Sequence, residues 1–293
     1  MTGYWWSERI GPGFAHSYQV ELLYEERTPY QHLFVFKTPL WGRALVLDGV
    51  VQLTLADEFI YHEMMVHVPF LGRKKPVKSA LIIGGADGGT LREVLKHDTI
   101  ERVVMVELDQ QVLTACQKYM PEVCQSWDDP RLELIIGDGA KYIEEAASKG
   151  DKFDCILLDS TDPVGPAICL FERPFHENIA ACLTDDGVVV RQSGLPRTMP
   201  KVMPFVMKRF EEVMPEGLVQ VYRAPVAAYG DEMAFVIASK DGATCSTPQR
   251  ELIGKYYNPE CHKAAFTLPT WWQKLIDEYE DDGTVPIETV DCF

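Results

Sequence analysis

FDCILLDSTDPVGP, residues 153–166, is the stretch on which the reading of the chain turns. Its apolar run, Cys155-Ile156-Leu157-Leu158, is short, continuous and bounded by polar and turn residues, the pattern of a buried strand. The run stops at Asp159-Ser160-Thr161-Asp162, and Pro163, Gly165 and Pro166 keep the following loop out of helix. Two carboxylates three residues apart, on a loop stiffened by proline and glycine, stand at the carboxyl end of a parallel strand. Open α/β sheets bind their ligands there. A helix cap and a solvated loop account for one such aspartate but poorly for two.

Outward from this strand the chain alternates in period. Strands are predicted at 80–83, 102–106, 132–136, 153–158 and 188–191, with helices at 91–97, 110–119, 140–147 and near 171–183. Further strands fall at 218–222 and 233–238. The succession predicts an α/β fold, a mostly parallel sheet with helices on both faces. Residues 1–55 read instead as strands and turns, with β-rich runs at 32–36, 44–47 and 50–55. Asp48-Gly49 marks a tight hairpin between the last two. This is a small N-terminal β-sheet subdomain, in which Trp5, Trp6, Phe14 and Tyr18 are read first as core, then interface, then pocket. DEFIYHEMMVHV (57–68) changes to helical period, with Phe59, Ile60, Met64 and His67 on one stripe, Asp57 as cap and Pro69 closing the segment. The basic link GRKKPVK (72–78) sets the division into a β subdomain with its connecting helix (1–72) and a larger catalytic domain (73–293). The acidic end, 277–293, is expected to be loosely held.

Bulk properties narrow the class. The 293 residues are 46% hydrophobic and 25% charged, an ordinary globular composition. No apolar run is long enough to span a bilayer, and the first residues lack the basic segment and apolar core of a signal peptide. Eight cysteines without a CxxC pair point to reduced thiols in a cytoplasmic protein, neither disulfides nor zinc. The formal charge of −16 disfavours nucleic acid and membrane partners and suits cationic ligands, although solubility alone would account for it.

Acids recur at the strand ends. Gly84-Gly85-Ala86-Asp87-Gly88-Gly89 follows the first sheet strand and opens a helix, so backbone can approach a ligand closely. Ala86 breaks the G-x-G-x-x-G spacing and disfavours a pyrophosphate site. Glu107 ends the next strand, placed to take both hydroxyls of a ribose. Asp138 ends the third and Asp159 the fourth. Each alone could cap a helix. Four in a row concentrate negative charge along one edge, and the repulsion calls for ligand donors and cations. They read as a site for a nucleoside with a cationic group.

With these residues in view, the chain resembles the polyamine aminopropyltransferases, most closely the bacterial spermidine synthases. The resemblance runs from Tyr30 to Pro269 through PYQHLFVF, GRALVLDGVVQLT, DEFIYHEMMVHVP, LIIGGADGGTLREVLKH, VELD, GDGAKYI, LLDSTDPVGPA and KYYNPECHKAAFTLP. It implies a methyltransferase-like (Rossmann-like) sheet with an N-terminal β subdomain, in homodimers or homotetramers. It implies transfer of the aminopropyl group of decarboxylated S-adenosylmethionine to putrescine, giving spermidine and methylthioadenosine, with no metal and no further cofactor. By motif, Gln31 and Glu107 resemble the ribose and nucleoside contacts, Asp138 and Gly139 the adenine-side contact, and Pro166 lines the same pocket. Tyr61, His62 and Asp87 resemble residues around the aminopropyl and polyamine amines. Asp159 resembles the proton acceptor, with Asp162 beside it on the acceptor amine.

Elementary chemistry agrees with those roles. An alkylamine has a pKa near ~10.4, so freeing its lone pair at neutral pH costs roughly 4–5 kcal/mol. A carboxylate that orients the amine and receives its proton as the new bond forms, in a desolvated crevice, lowers that barrier. The sulfonium donor is already activated, and alignment of nitrogen, carbon and sulfur supplies much of the rest.

Three departures from the family pattern bear on these expectations. Ala86 stands where a third glycine is usual. After Pro225 the chain reads Val226-Ala227-Ala228-Tyr229-Gly230-Asp231, with one residue inserted, so Tyr229 would bring its catalytic hydroxyl from a shifted position or the role would be lost. The segment RQSGLPR (191–197) adds a cation that could change the choice of acceptor. Alternative readings are another amine acceptor (cadaverine, agmatine or a longer polyamine), intact S-adenosylmethionine as donor, or a non-catalytic nucleoside- or polyamine-binding relative. Asp87 disfavours a donor carrying a carboxylate, and retention of both Asp159 and Asp162 disfavours a mere binder.

Overall fold

The computed structural model of the chain describes residues 3–11, 13–163 and 165–287. Two sheets carry the architecture. The first is antiparallel, in the order β1 (Tyr4–Gly11), β2 (Phe14–Arg27), β3 (His32–Thr38), β4 (Gly42–Leu47) and β5 (Val50–Thr54). Asp48 and Gly49 close the β4–β5 hairpin with φ of 49° and 81°, the double positive φ of a type I′ turn. Neighbours on a strand face opposite ways. Trp6 therefore packs against Phe36, with ring centroids 5.2 Å apart, whereas Trp5 is 71% exposed. Phe14 is exposed as well, so the expected core role holds for Trp6 and half-buried Tyr18 only.

Helix α1 (Glu58–Gly72) joins the sheets. It contains Pro69 and runs three residues past it, against the expectation that the proline closes it. The ring removes one donor from the helical ladder. Its cost is offset by packing, because every residue from Tyr61 to Gly72 is buried between the large sheet and its neighbours. Asp57 does not cap the helix with its side chain. Its carboxylate accepts from Thr54 Oγ1 at 2.6 Å and from the Ala228 amide at 2.8 Å.

The second sheet is built from β6 (Ser79–Gly84), α2 (Gly89–Leu95), β7 (Arg102–Glu107), α3 (Gln110–Tyr119), β8 (Leu132–Ile136), α4 (Gly139–Lys149) and β9 (Phe153–Asp159). A 3-10 turn (Gly165–Phe171), α5 (Arg173–Cys182), β10 (Leu183–Gln192), α6 (Val202–Val213), β11 (Leu218–Val226), a second 3-10 turn (Ala227–Tyr229) and β12 (Asp231–Ser239) complete it. Spatial order is β11-β12-β10-β9-β6-β7-β8, with β10 to β8 parallel and β12 antiparallel to both neighbours. Alternate residues feed two cores: Ala80 and Ile82 meet α1 and α2, while Leu81 and Ile83 meet α4, α5 and α6. The Rossmann-like fold with a small antiparallel sheet is thus as expected.

Helices α6, α7 (Pro259–Ala265) and α8 (Thr270–Asp277) were not foreseen. Nor is the chain beyond Asp277 loose throughout: Tyr279 and Val285 pack against the core, and Asp281 pairs with Arg209. Cys292 and the rest of 288–293 lie outside the described residues. After β6 the chain lays down β7 and β8 toward one edge, then returns to place β9 on the other side of β6. Gly84 and Asp159 are register partners at that reversal, where α/β sheets open a crevice.

Candidate active site

Close packing of the glycine loop on β9 sets the site. Gly84 has φ 88°, and a Cβ there would lie 2.1 Å from the Asp159 carbonyl oxygen. The Gly85 amide donates to that same oxygen at 2.9 Å. Only glycine allows the approach. The Asp159 side chain is fixed in turn: Oδ1 accepts from the Tyr61 hydroxyl at 2.7 Å and Oδ2 from Thr90 Oγ1 at 2.5 Å. Burial, then the charge on Asp87, raises the Asp159 carboxyl above the ordinary range, against the pull of His62, Thr90 and Tyr61. A raised carboxyl is a better proton acceptor than an exposed one.

Asp87 is held from two sides. Its Oδ1 accepts from the Gly89 amide at 2.7 Å and lies 3.2 Å from His62 Nε2. The other ring nitrogen, Nδ1, is 2.6 Å from Glu58 Oε2, and Arg92 forks onto the same carboxylate at 2.8 and 3.1 Å. Gly89 is required here too, since a Cβ would fall 2.2 Å from the His62 ring. Burial works against charge on His62, but Asp87 and Glu58 outweigh it and push the ring up to about 10. Burial would raise Asp87, but the imidazolium and the Gly89 N–H keep it below the carboxylate norm. Ligand atoms of His62, Asp87 and Asp159 lie within 4.8 Å of one another. An imidazolium with both N–H groups on carboxylates nevertheless offers a metal no lone pair.

Glu107 ends β7, buried, with Oε1 accepting from the Asp109 amide at 2.8 Å. Burial pushes its carboxyl up to about 7 against the pull of the Asp109 backbone N–H, and the charge on Asp109 adds a smaller rise. Gln31 does not reach Glu107 directly. Its Nε2 donates to Asp109 Oδ2 at 2.9 Å, and Thr28 joins at 2.6 Å, which ties the β2–β3 turn to the sheet edge beside Glu107. Asp109 was not singled out in the sequence, although an acid immediately before a helical run signals an N-cap, and it does accept from the Gln111 amide. Asp138 caps α4 through Ala140 at 2.8 Å and Lys141 at 3.3 Å. A Cβ on Gly139 would meet Ile83 at 2.5 Å, so this glycine lets α4 sit against β6. The side chain of Pro166 lies outside the described residues.

Asp162 is pushed up by burial and accepts from Gln192 Nε2 at 3.1 Å. Gln192, missed in the sequence reading, also donates to the Ser160 carbonyl at 2.8 Å and accepts from Gly194, so it splints the loop that follows β9. The neighbouring cation, Arg191, is buried under the 3-10 turn, donating to the Leu170 carbonyl at 2.7 Å and stacked 3.5 Å from the Phe171 centroid. Arg197 pairs with Asp231 at 2.9 Å. The Tyr229 hydroxyl donates to the Gln52 carbonyl at 2.5 Å; the tyrosine hydroxyl on Asp159 is that of Tyr61. The structure therefore gathers Tyr61, His62, Asp87 and Asp159 into one cluster, sets Glu107 and Gln31 around Asp109 at the next strand end, and flanks them with Asp138 and Asp162.

A Rossmann-like sheet whose switch point carries an acidic, desolvated cluster is the setting of an α/β enzyme that binds a small cationic molecule. Comparison with known proteins specifies it. The spermine/spermidine synthase domain model matches residues 58–248, and the spermidine synthase tetramerisation domain model matches 4–54. Proteins named polyamine aminopropyltransferase from a Thermoanaerobacter species and from Desulforudis audaxviator are 43% and 42% identical to the chain. They span 94% and 90% of it and 99% and 96% of their own lengths. A spermidine synthase crystallised with the transition-state analogue AdoDATO superposes with a TM-score of 0.86 at 33% identity, covering 95% of this chain and 97% of that one. Spermidine synthase from Thermotoga maritima gives 0.85 at the same identity, over 95% and 96%. The chain belongs to the spermine/spermidine synthase family and is a polyamine aminopropyltransferase.

Proposed function

We propose that the protein moves the aminopropyl group of decarboxylated S-adenosylmethionine onto putrescine, releasing methylthioadenosine and spermidine. The observation that carries this reading is Asp159, held by Tyr61 and Thr90 at the β6–β9 switch point beside ionised Asp87. The acceptor nitrogen bonds to the propyl carbon as the carbon–sulfur bond breaks. Its electron pair stays on sulfur, which becomes a neutral thioether, and the proton of the new secondary ammonium goes to Asp159. Asp87 takes the donor's own ammonium, and a carboxylate on the donor would meet it as a like charge. Glu107 takes the ribose hydroxyls and Asp162, splinted by Gln192, the acceptor amine. The reaction needs no metal and no cofactor beyond the donor.

The protein is read as a homo-oligomer assembled through its first sheet, where exposed Trp5 and Phe14 give an apolar surface to bury. Cytoplasmic residence suits its cysteines, which are free at all seven described positions. Among the described residues no helix is long and apolar enough to cross a membrane.

Titration calorimetry with the decarboxylated and the intact donor, followed by product analysis with competing diamines, tests the assignment. Tighter binding of the decarboxylated donor and spermidine as main product are expected. Preference for the intact donor overturns the reading.

A further inference from the structure

Behind Asp87 and His62 lies a partly buried carboxylate, Glu58, to which the transfer step assigns no role. Glu58 opens α1, four residues before His62, so the two lie on one face of the helix. Its Oε2 is 2.6 Å from His62 Nδ1, while His62 Nε2 faces Asp87 at 3.2 Å. Arg92 of α2 holds Glu58 by two hydrogen bonds and reaches Glu93 through Nε at 2.8 Å. The row Arg92, Glu58, His62, Asp87 is thus an alternation of charges leading from α2 to the crevice. Tyr61 meets the His62 ring edge-on at 5.3 Å, and Asp159 faces it across the site.

This arrangement poses a problem for a site that takes cations. A lone imidazolium beside a sulfonium and an ammonium would repel both. A neutral imidazole could turn or change tautomer and leave Asp87 with the Gly89 amide but without its cationic partner. Glu58 resolves both difficulties, because it cancels the charge of the ring and fixes its plane at once. Burial would raise Glu58, but His62 and then Arg92 outweigh it and keep the carboxylate ionised, at about 2.

We infer that Glu58 is a positioning residue for the transfer. By clamping His62 as an imidazolium, it holds Asp87 ionised and in place to receive the aminopropyl ammonium of the donor. The inference rests on the proposed reaction for its kinetic consequence but not for its structural one. Groups facing His62 are Glu58 and Tyr61 from α1, Asp87 from the glycine loop, Asp159 from β9 and Arg92 from α2. Of the carboxylates, only Asp87 and Glu58 are bonded to the ring.

The test uses full-length enzyme and a Glu58→Gln variant, which keeps size and hydrogen-bonding capacity while removing the charge. NMR titration of the His62 ring, without substrate, is expected to show it protonated up to pH 9 in the natural protein and titrating near ~6.5, the ordinary histidine value, in the variant. With donor and putrescine at pH 7.5, the variant's donor KM is expected to rise about tenfold and the putrescine KM to stay within twofold. At pH 6 the ring is protonated again and the donor KM should recover to within threefold. A natural-protein His62 that titrates near 6.5, or a Glu58→Gln defect that does not change with pH, overturns the inference. If the ring behaves as stated while no aminopropyl transfer occurs with either protein, the clamp stands and the reaction assignment fails. Arg92→Gln, expected to give the same pH-dependent defect at smaller size, guards against misfolding of the first variant.

Discussion

The Tyr61 hydroxyl donates to Asp159 Oδ1 at 2.7 Å, joining the helix that links the two sheets to the strand that ends at the switch point. The bond favours the carboxylate in a place where burial favours the acid. It sets how much of Asp159 is available to take a proton at neutral pH. Tyr61→Phe should therefore move the acid limb of the kcat/KM profile upward by about one pH unit, since a hydrogen bond to a charged group is worth roughly 1.5–3 kcal/mol and one unit is about 1.4. At pH 7.5 the rate should fall less than at pH 6. A profile that does not shift would separate Tyr61 from the titration of Asp159.

Tyr229 and Tyr61 can be ranked. The Tyr229 hydroxyl is bonded to the Gln52 carbonyl and helps fasten the second 3-10 turn to β5. Tyr229→Phe should lower kcat by less than threefold and unfolding stability by about 1 kcal/mol. Tyr61→Phe should lower kcat/KM at pH 6 by up to about tenfold, the most that a one-unit shift allows. Steady-state kinetics of both variants decide it, and the reverse order would return the assisting role to Tyr229.

Donor binding should release protons. Glu107 is pushed up to about 7 by burial, and ribose hydroxyls donating to it would favour its ionised form. Calorimetry at pH 6.5 in two buffers of different ionisation enthalpy should show about three-quarters of a proton released per donor bound, almost none at pH 8.5, and none at either pH for Glu107→Gln. Without ligand the sign is opposite. A carboxyl whose folded value lies above its unfolded one stabilises the fold below the unfolded value of 4.5, and that contribution is lost as pH rises through about 7.

Gly84→Ala should be among the most damaging small substitutions in the chain. The added carbon would meet backbone, the Asp159 carbonyl at 2.1 Å, in a conformation that side chains rarely adopt. A loss of about 3 kcal/mol or more is expected in chemical denaturation. Gly139→Ala meets only the movable Ile83 side chain and should cost about 1 kcal/mol.

Much of this was readable beforehand, for physical reasons that can be named. Strands β7 and β9 are short apolar runs closed by an acid, and burial leaves such runs little choice of structure. The acids at their ends were visible because strand direction alone places them on one edge. Helix α6 escaped notice because Pro204 and a scattered apolar pattern hide its period. The run of α1 past Pro69 depends on the sheet and helix packed against it, which no local window contains. The join of Gln31 to Asp109 crosses 78 residues, and Gln192 reaches Asp162 across 30. Glu58 could have been found, since an acid four residues before a histidine is a recognised helical pair. The sequence alone did not show that burial would make that pair strong.

Asp159 is the centre of the account, and one measurement addresses it directly. Preloaded with decarboxylated S-adenosylmethionine and mixed with excess putrescine, the natural protein and Asp159→Asn can be compared for methylthioadenosine release in a single turnover. Loss of a positioned proton acceptor should slow the variant by a factor on the order of 10² to 10⁴, with donor affinity within threefold of the natural protein. Release at an undiminished rate would contradict the assignment of Asp159 and the mechanism built on it.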